Sequence, residues 1–142
     1  MDGLTTGNGN GSFGSDGGGF QSSGFYSNSR TDNISFAFNK SGTLYGATVT
    51  AATAANAIFN KAVTMSAANI TTPYLRGVAG STEDVSTWVT GSQSNFLLGK
   101  YTPNSSSAVD MIGYIHEHIS FASELSASDN MKLSTNQTNF FN

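Results

Sequence analysis

His116-Glu117-His118 is the stretch of this chain whose residue types and spacing best suit chemistry. Imidazole is a common metal ligand and changes charge close to neutral pH. Two rings at i and i+2 share one face of a strand and point to different faces of a helix. On a strand, both could be offered to one ion. Two ligands do not close a coordination sphere, so such a site needs further copies. Around a three-fold axis, His116 and His118 of each chain would form an octahedral set of nitrogens. The alternative is a pair of half-exposed, hydrated rings flanking a glutamate, with no cofactor at all.

Other chemistry finds little material. The chain has no cysteine, which excludes disulfides, thiol nucleophiles and thiolate metal sites. Gly9-Asn10-Gly11-Ser12-Phe13-Gly14 spells G-x-G-x-x-G, but a dinucleotide site needs a strand before that loop and a helix opening on it. The surrounding sequence suggests neither. No serine lies in a nucleophile-elbow sequence. Glu83 and Asp84 are adjacent, and Asp110 and Glu117 would share a helix if that stretch were helical. Neither pair has the polar and aromatic surroundings of a carboxylate catalyst. The expectation is a protein that is not an enzyme.

Only 11% of the 142 residues are charged, and the formal net charge is −3. Lys40, Lys61, Lys100, Lys132, Arg30 and Arg76 are scattered, so no basic footprint suggests nucleic acid as a partner. No apolar run approaches a membrane span, and Met1-Asp2-Gly3-Leu4-Thr5-Thr6 does not resemble a secretory leader. A membrane partner is therefore not expected either. Nearly half of the chain is Ser, Thr, Asn and Gly. A surface of hydroxyls and amides, made without a leader, suits a particle assembled in a host cytoplasm and released as a virion.

The elements that must position these residues begin after a distinct segment. Nine of the sixteen glycines lie before Phe25, which predicts a flexible arm over residues 1–29. Phe13, Phe20, Phe25 and Tyr26 interrupt it at regular intervals. They are either incidental aromatics in a linker or anchors that fill pockets on a neighbouring subunit. A compact domain is expected over 30–135. In it, Ile34, Phe36 and Phe38 alternate with polar residues, Asn39-Lys40-Ser41-Gly42 supplies turn chemistry, and Thr43–Thr50 supplies the partner strand. Residues 51–65 read as a short helix followed by a strand, and 69–76 as extended because of Pro73. Residues 77–84 and 91–95 read as loops. Phe96–Tyr101 reads as a short strand ended by Pro103-Asn104-Ser105.

Residues 108–125 carry two patterns. Val109, Ile112, Ile115, Ile119, Ala122 and Leu125 step as an amphipathic helix, with Ser107 and Asp110 as its capping box. The rival is a strand over 111–121, a turn at 126–130 and a partner strand at 131–133; its β-branched residues and Gly113 place it ahead. The tail, 136–142, ends in Phe140-Phe141, a pair expected to dock on this subunit or another. The resulting fold class is mainly β: a small single β-rich domain, sandwich or barrel-like, with an extended glycine-rich N-terminal arm and at most one or two short helices.

Two stretches resemble bacteriophage virion proteins of the capsid decoration, head-fibre and tail-fibre type. Residues 57–66 (Ala-Ile-Phe-Asn-Lys-Ala-Val-Thr-Met-Ser) are similar to repetitive fibre segments, and residues 121–133 to a strand–turn–strand of such proteins. The His-x-His unit resembles the iron-binding unit of trimeric tail-fibre tips, although Tyr114 stands where that motif has glycine, and Gly113 lies one place earlier. The likeness is scattered over 57–133. It implies a structural virion protein, a capsid decoration or head-fibre subunit. Such a subunit would anchor through its arm and Phe140 and Phe141, and pack with copies of itself as a trimer or lattice. Its other partner would be a major capsid protein or another virion protein. The alternative is an extracellular filament or adhesin subunit that polymerises by strand exchange.

Overall fold

The computed structural model describes residues 10–15, 24–29, 33–40, 43–50, 59–86, 96–98, 100–104, 107–110 and 114–141, with side-chain environments for 59–86, Leu98 and 114–141. The described residues are mainly strand, and all the strand pairings among them are antiparallel. One sheet contains β1 (Asn10–Ser15), β2 (Gly24–Ser29), β3 (Asn33–Lys40), β4 (Thr43–Thr50) and β9 (Phe96–Leu98), in the order β4-β3-β2-β1-β9. The expected hairpin is present: β3 and β4 pair from Asn33↔Thr50 to Lys40↔Thr43. The expected inward facing of Ile34, Phe36 and Phe38 lies outside the described side chains.

Residues read from sequence as an arm lie in this same sheet. β2 pairs with β3 from Gly24↔Asn39 to Ser29↔Ile34, and β1 pairs with β2 and β9. Phe13, Phe25 and Tyr26 thus stand at paired backbone positions in this chain's own sheet, whereas Phe20 lies outside the described residues. Between Gly11↔Asn28 and Phe13↔Ser27 the register shifts by one residue, a bulge at Ser12.

A four-stranded antiparallel sheet holds the described core. It comprises β5 (Lys61–Met65), β6 (Ile70–Leu75), β7 (Val78–Ala79) and β8 (Glu83–Asp84), with β6 at the centre. β5 flanks one side of β6; β7 and β8 share the other, pairing with its two ends. Residues 77–84, expected as loop, thus contain two short strands. Thr71, Pro73, Tyr74, Leu75 and Val85 are buried, and β6 lies against β3 and β4 of the larger sheet.

Proline in a central strand removes a ladder donor, and the register here explains its tolerance. Ser66 N–H donates to Ile70 O at 2.9 Å and Arg76 N–H to Asn60 O at 3.1 Å. Hydrogen-bonded pairs therefore fall at every second position between those ends, and Val63↔Pro73 is a non-bonded pair. The missing donor faces the other side, between the stretch paired with β8 and the stretch paired with β7. Pro73 O accepts a bond from Gly80 N at 2.8 Å.

Two turns frame β6. Ser66–Asn69 closes on a bond from Asn69 N to Ser66 O of 2.9 Å, and Asn69 takes a positive φ of 59°. This is a type I turn followed by a left-handed residue, a common three-residue hairpin loop. Arg76 (φ 51°) and Gly77 (φ 77°) form the two-residue loop between Leu75 and its partner Val78. Positive φ at both central residues is the type I′ geometry that matches strand twist.

The remaining elements are β10 (Lys100–Asn104), paired with β11 (Ser107–Asp110), and α1 (Ala127–Phe141). The register of β10 and β11 shifts between Tyr101 and Asn104, so Pro103 lies at a bulge inside a strand rather than ending one.

The C-terminal region corrects the sequence reading. Ser107 and Asp110 are strand residues of β11, not a capping box. Residues 114–126 are neither helix nor strand. The expected strand at 131–133 and residues 136–141 of the expected tail belong to α1. Its start is fixed by Ser126: Asp129 N–H donates to Ser126 Oγ at 3.1 Å, and Ser126 Oγ donates to Asp129 Oδ2 at 2.7 Å. Ser126 is thus the N-cap, with an aspartate at the third helical position that its hydroxyl also binds. Of the short helix and strand expected over 51–65, the strand is β5, and residues 51–58 lie outside the described ones.

Candidate functional site

His116-Glu117-His118 lies in an irregular, solvent-exposed strap that runs along the C-terminal half of α1. Two contacts tie it there. The ring of His116 meets Phe141 edge-on, with centroids 5.3 Å apart and planes at 80°. Glu117 Oε2 accepts a bond from Gln137 Nε2 at 2.7 Å. His118 Nε2 lies 3.1 Å from Ser120 Oγ, within the strap itself. The strap is not a strand, so the i, i+2 rule does not place the two rings on one face. His116 is engaged by an aromatic ring and His118 by a hydroxyl. No cluster of three or more metal-ligating side chains occurs among the described residues.

Phe140 and Phe141 form a T-shaped pair, centroids 4.9 Å apart. Phe141 is half-buried against the strap and Phe140 is exposed. The helix end thus docks on this subunit through one ring and presents the other to solvent. Tyr114, Ile115, Ile119 and Phe121 of the strap are exposed as well, so large apolar side chains gather on this side of the molecule.

What holds α1 to the sheet is polar. Its buried residues are Asn130 and Ser134. Ser134 Oγ donates to Asn60 Oδ1 at 2.9 Å, and Asn60 Nδ2 donates to Ser134 O at 3.0 Å. Asn60 O in turn accepts from Arg76 N, so the residue before β5 joins the helix to the β6–β7 turn. Asn130 Nδ2 closes the helix start by donating to Leu125 O at 3.3 Å and Ser126 O at 3.1 Å. Gly77 presses on the helix so closely that a Cβ there would stand 2.8 Å from Met131 Sδ and 3.0 Å from Met131 Cα. Asn130 and Ser134 stand four residues apart on one face of α1, where the sequence reading has a turn at 126–130 and a strand at 131–133. The capping signal Ser126-Ala127-Ser128-Asp129 was also present and was read as a turn.

The carboxylates do not converge. Glu83 and Asp84 are neighbours in β8, where successive side chains point to opposite faces. Asp84 is exposed, and bonds from Ser86 hold its carboxyl below the ordinary range; its Oδ1 accepts from Ser86 N at 2.8 Å. Asp110 belongs to β11, while Glu117 lies in the strap, so they share no helix. Lys61, at the start of β5, is half-buried, and desolvation of its ammonium pushes its pKa down to about 7. Among the described helices none is long and apolar enough to cross a membrane. No family model, curated protein or solved structure matches the chain.

Proposed function

We propose that this chain is a structural subunit of a virion, a capsid decoration or head-fibre protein, which works by packing rather than by catalysis. The observation that carries the reading is the set of large apolar side chains left exposed on the strap and helix end. Tyr114, Ile115, Ile119, Phe121 and Phe140 are all exposed in a chain with 11% charged residues. A subunit that functions alone gains nothing from such a surface, and it promotes association. The composition of hydroxyls and amides supports a virion surface. The resemblance of 57–66 to fibre segments supports it too, while the strand–turn–strand likeness at 121–133 is set aside by the helix there.

In this reading the two sheets form the layers of a small sandwich, and copies pack as a trimer or lattice on a capsid or other virion protein. Residues 1–29 contribute attachment through Phe20 and the flanking segments. No metal is needed for that assembly; His116 and His118 could share an ion only where copies meet on a symmetry axis.

The test is the purified full chain, examined by sedimentation velocity at micromolar concentration and by negative-stain microscopy. Closed oligomers or flat arrays support the virion subunit. Long unbranched filaments would favour polymerisation by strand exchange instead. A chain that stays monomeric overturns the reading.

A further inference from the structure

We infer that residues 114–121, together with Phe140, form the surface through which a second copy of this chain packs, and that 114–121 enters that contact as a strand. This rests on the self-assembling subunit proposed above and names the surface it would use.

The first ground is area. Tyr114 is 84% exposed, Phe140 79% and Phe121 51%. With a buried aromatic covering roughly 150–250 Å², these rings and the two isoleucines offer on the order of 500 Å² of apolar surface. That is a large part of the roughly 800 Å² that each partner contributes to a standard interface. The helix end adjoins the strap, since Phe140 touches Phe141 and Phe141 touches His116.

The second ground is a conflict between sequence pattern and structure that a partner resolves. Written as a strand, 114–121 sets Ile115, Glu117, Ile119 and Phe121 on one face and Tyr114, His116, His118 and Ser120 on the other. Glu117, the one charge on the mainly apolar face, is engaged by Gln137. In the single chain this segment pairs with no strand among the described residues, and its apolar residues face water. A second copy supplies an identical segment with the same need. Two such segments can pair antiparallel about a two-fold axis, each satisfying the other's ladder while Ile115, Ile119 and Phe121 of the two copies pack on one face and Tyr114 on the other. The strap meets α1 through the His116–Phe141 ring contact and the exposed Glu117–Gln137 hydrogen bond.

Sedimentation velocity on the full chain tests this with two strap variants and a control. Phe121→Asp replaces the ring of the mainly apolar face by a second negative charge beside that of Glu117 and should convert the oligomer to monomers. Tyr114→Ser removes the most exposed ring of the strap without adding charge. It should weaken association about ten-fold or more, the scale of losing one buried aromatic anchor. Val78→Asp changes an exposed apolar residue of β7 outside the strap and should leave the oligomer intact. Amide exchange of 114–121 should slow in concentrated wild-type samples and speed up on dilution. If Phe121→Asp proves unfolded by circular dichroism, Tyr114→Ser and the exchange pattern decide. A wild-type oligomer that survives both strap variants, with unprotected strap amides, overturns this inference and leaves self-assembly standing. A wild-type monomer overturns both.

Discussion

Strand β6 turns Thr71, Pro73, Tyr74 and Leu75 inward, whereas helix α1 turns Asn130 and Ser134 inward. The strand is held by apolar burial and by ladder bonds on both sides. The helix is held by a reciprocal Asn60–Ser134 pair, an asparagine at its start and the close approach of a glycine turn. Apolar contact tolerates small shifts because it is non-directional. Hydrogen bonds to buried amides do not, since a lost partner leaves a desolvated group. The helix is therefore a precisely registered element with a small apolar contribution, and the sheet is the reverse.

The largest expected effect breaks the sheet side. Leu75 is 3% exposed, and Leu75→Ala should cost about 3 kcal/mol of unfolding free energy in urea titrations, from lost burial and a residual cavity. A cost under about 1 kcal/mol would mean that β6 is not the core of this domain.

The turn that joins the two regions comes next. Gly77 has φ +77° and its Cβ position lies 2.8 Å from Met131 Sδ and 3.0 Å from Met131 Cα. Gly77→Ala combines left-handed strain with a push on helix backbone, and should cost about 2 kcal/mol. Amide exchange should quicken in α1 more than in β5. Equal acceleration in both would show that the helix and sheet unfold as one unit.

A pH titration separates the sheet in another way. With the pKa of Lys61 lowered to about 7 in the fold and returning to 10.5 on unfolding, the unfolded chain binds more protons between those values. Stability must then rise with pH across that window; the penalty is full below the lower value and gone above the upper one. Each pKa unit corresponds to about 1.4 kcal/mol, and partial hydration of the amine reduces the expected gain to about 2 kcal/mol by pH ~10. Lys61→Met should flatten this part of the profile. An unchanged slope in that variant would assign it to other groups.

Much of the sheet was legible because strands advertise themselves by alternation. Ile34, Phe36 and Phe38 with a turn sequence after them led directly to β3 and β4, and Pro73 marked an extended β6. In the stretch read as a glycine-rich arm, 10–15 and 24–29 are strands, and the alternation around Phe25 is shorter and weaker than that of β3. The helix was missed for a deeper reason. Pattern reading looks for an apolar stripe, and α1 buries Asn130 and Ser134; the true stripe-like pattern, Ile112 to Leu125, lies largely in a strap that is not helical. His116-Glu117-His118 was legible as a feature of interest. Its tie to Gln137 and Phe141, across the chain, was not.

The polar side of the comparison has its own substitution. Ser134→Ala removes the donor to Asn60 Oδ1 and leaves a part-buried acceptor unsatisfied, at a cost of about 1.5 kcal/mol. Asn60→Ala in the same background also removes the Nδ2 bond to the Ser134 carbonyl, so it should cost more, but less than the sum of the two single changes if the residues act as a pair. Full additivity by denaturation would mean that they stabilise separate neighbours.

The smallest effect concerns the cap. Ser126 Oγ accepts the Asp129 N–H and donates to the Asp129 carboxylate, so one hydroxyl satisfies a free helix donor and fixes an acidic side chain at the positive end of the dipole. Ser126→Ala should cost about 1 kcal/mol, the usual value of an N-cap hydroxyl. A second readout tells a cap from mere packing. Bonds from Ser126, then the hydrogen bond and charge of Lys132, whose Nζ lies 3.3 Å from Asp129 Oδ1, hold the Asp129 carboxyl below its ordinary value. A carboxyl depressed in the fold stabilises it above the unfolded value, and that contribution is lost as pH falls through the folded one. Removing the hydroxyl should therefore raise the Asp129 titration midpoint, followed by NMR, toward the ordinary range, and shrink the loss of stability on acidification. Ser126→Asp should recover the bond to the Asp129 N–H while setting two carboxylates side by side, so it should raise that midpoint further than alanine does. If alanine lowers stability but the Asp129 midpoint stays where it was, the hydroxyl acts by filling space and the cap assignment fails.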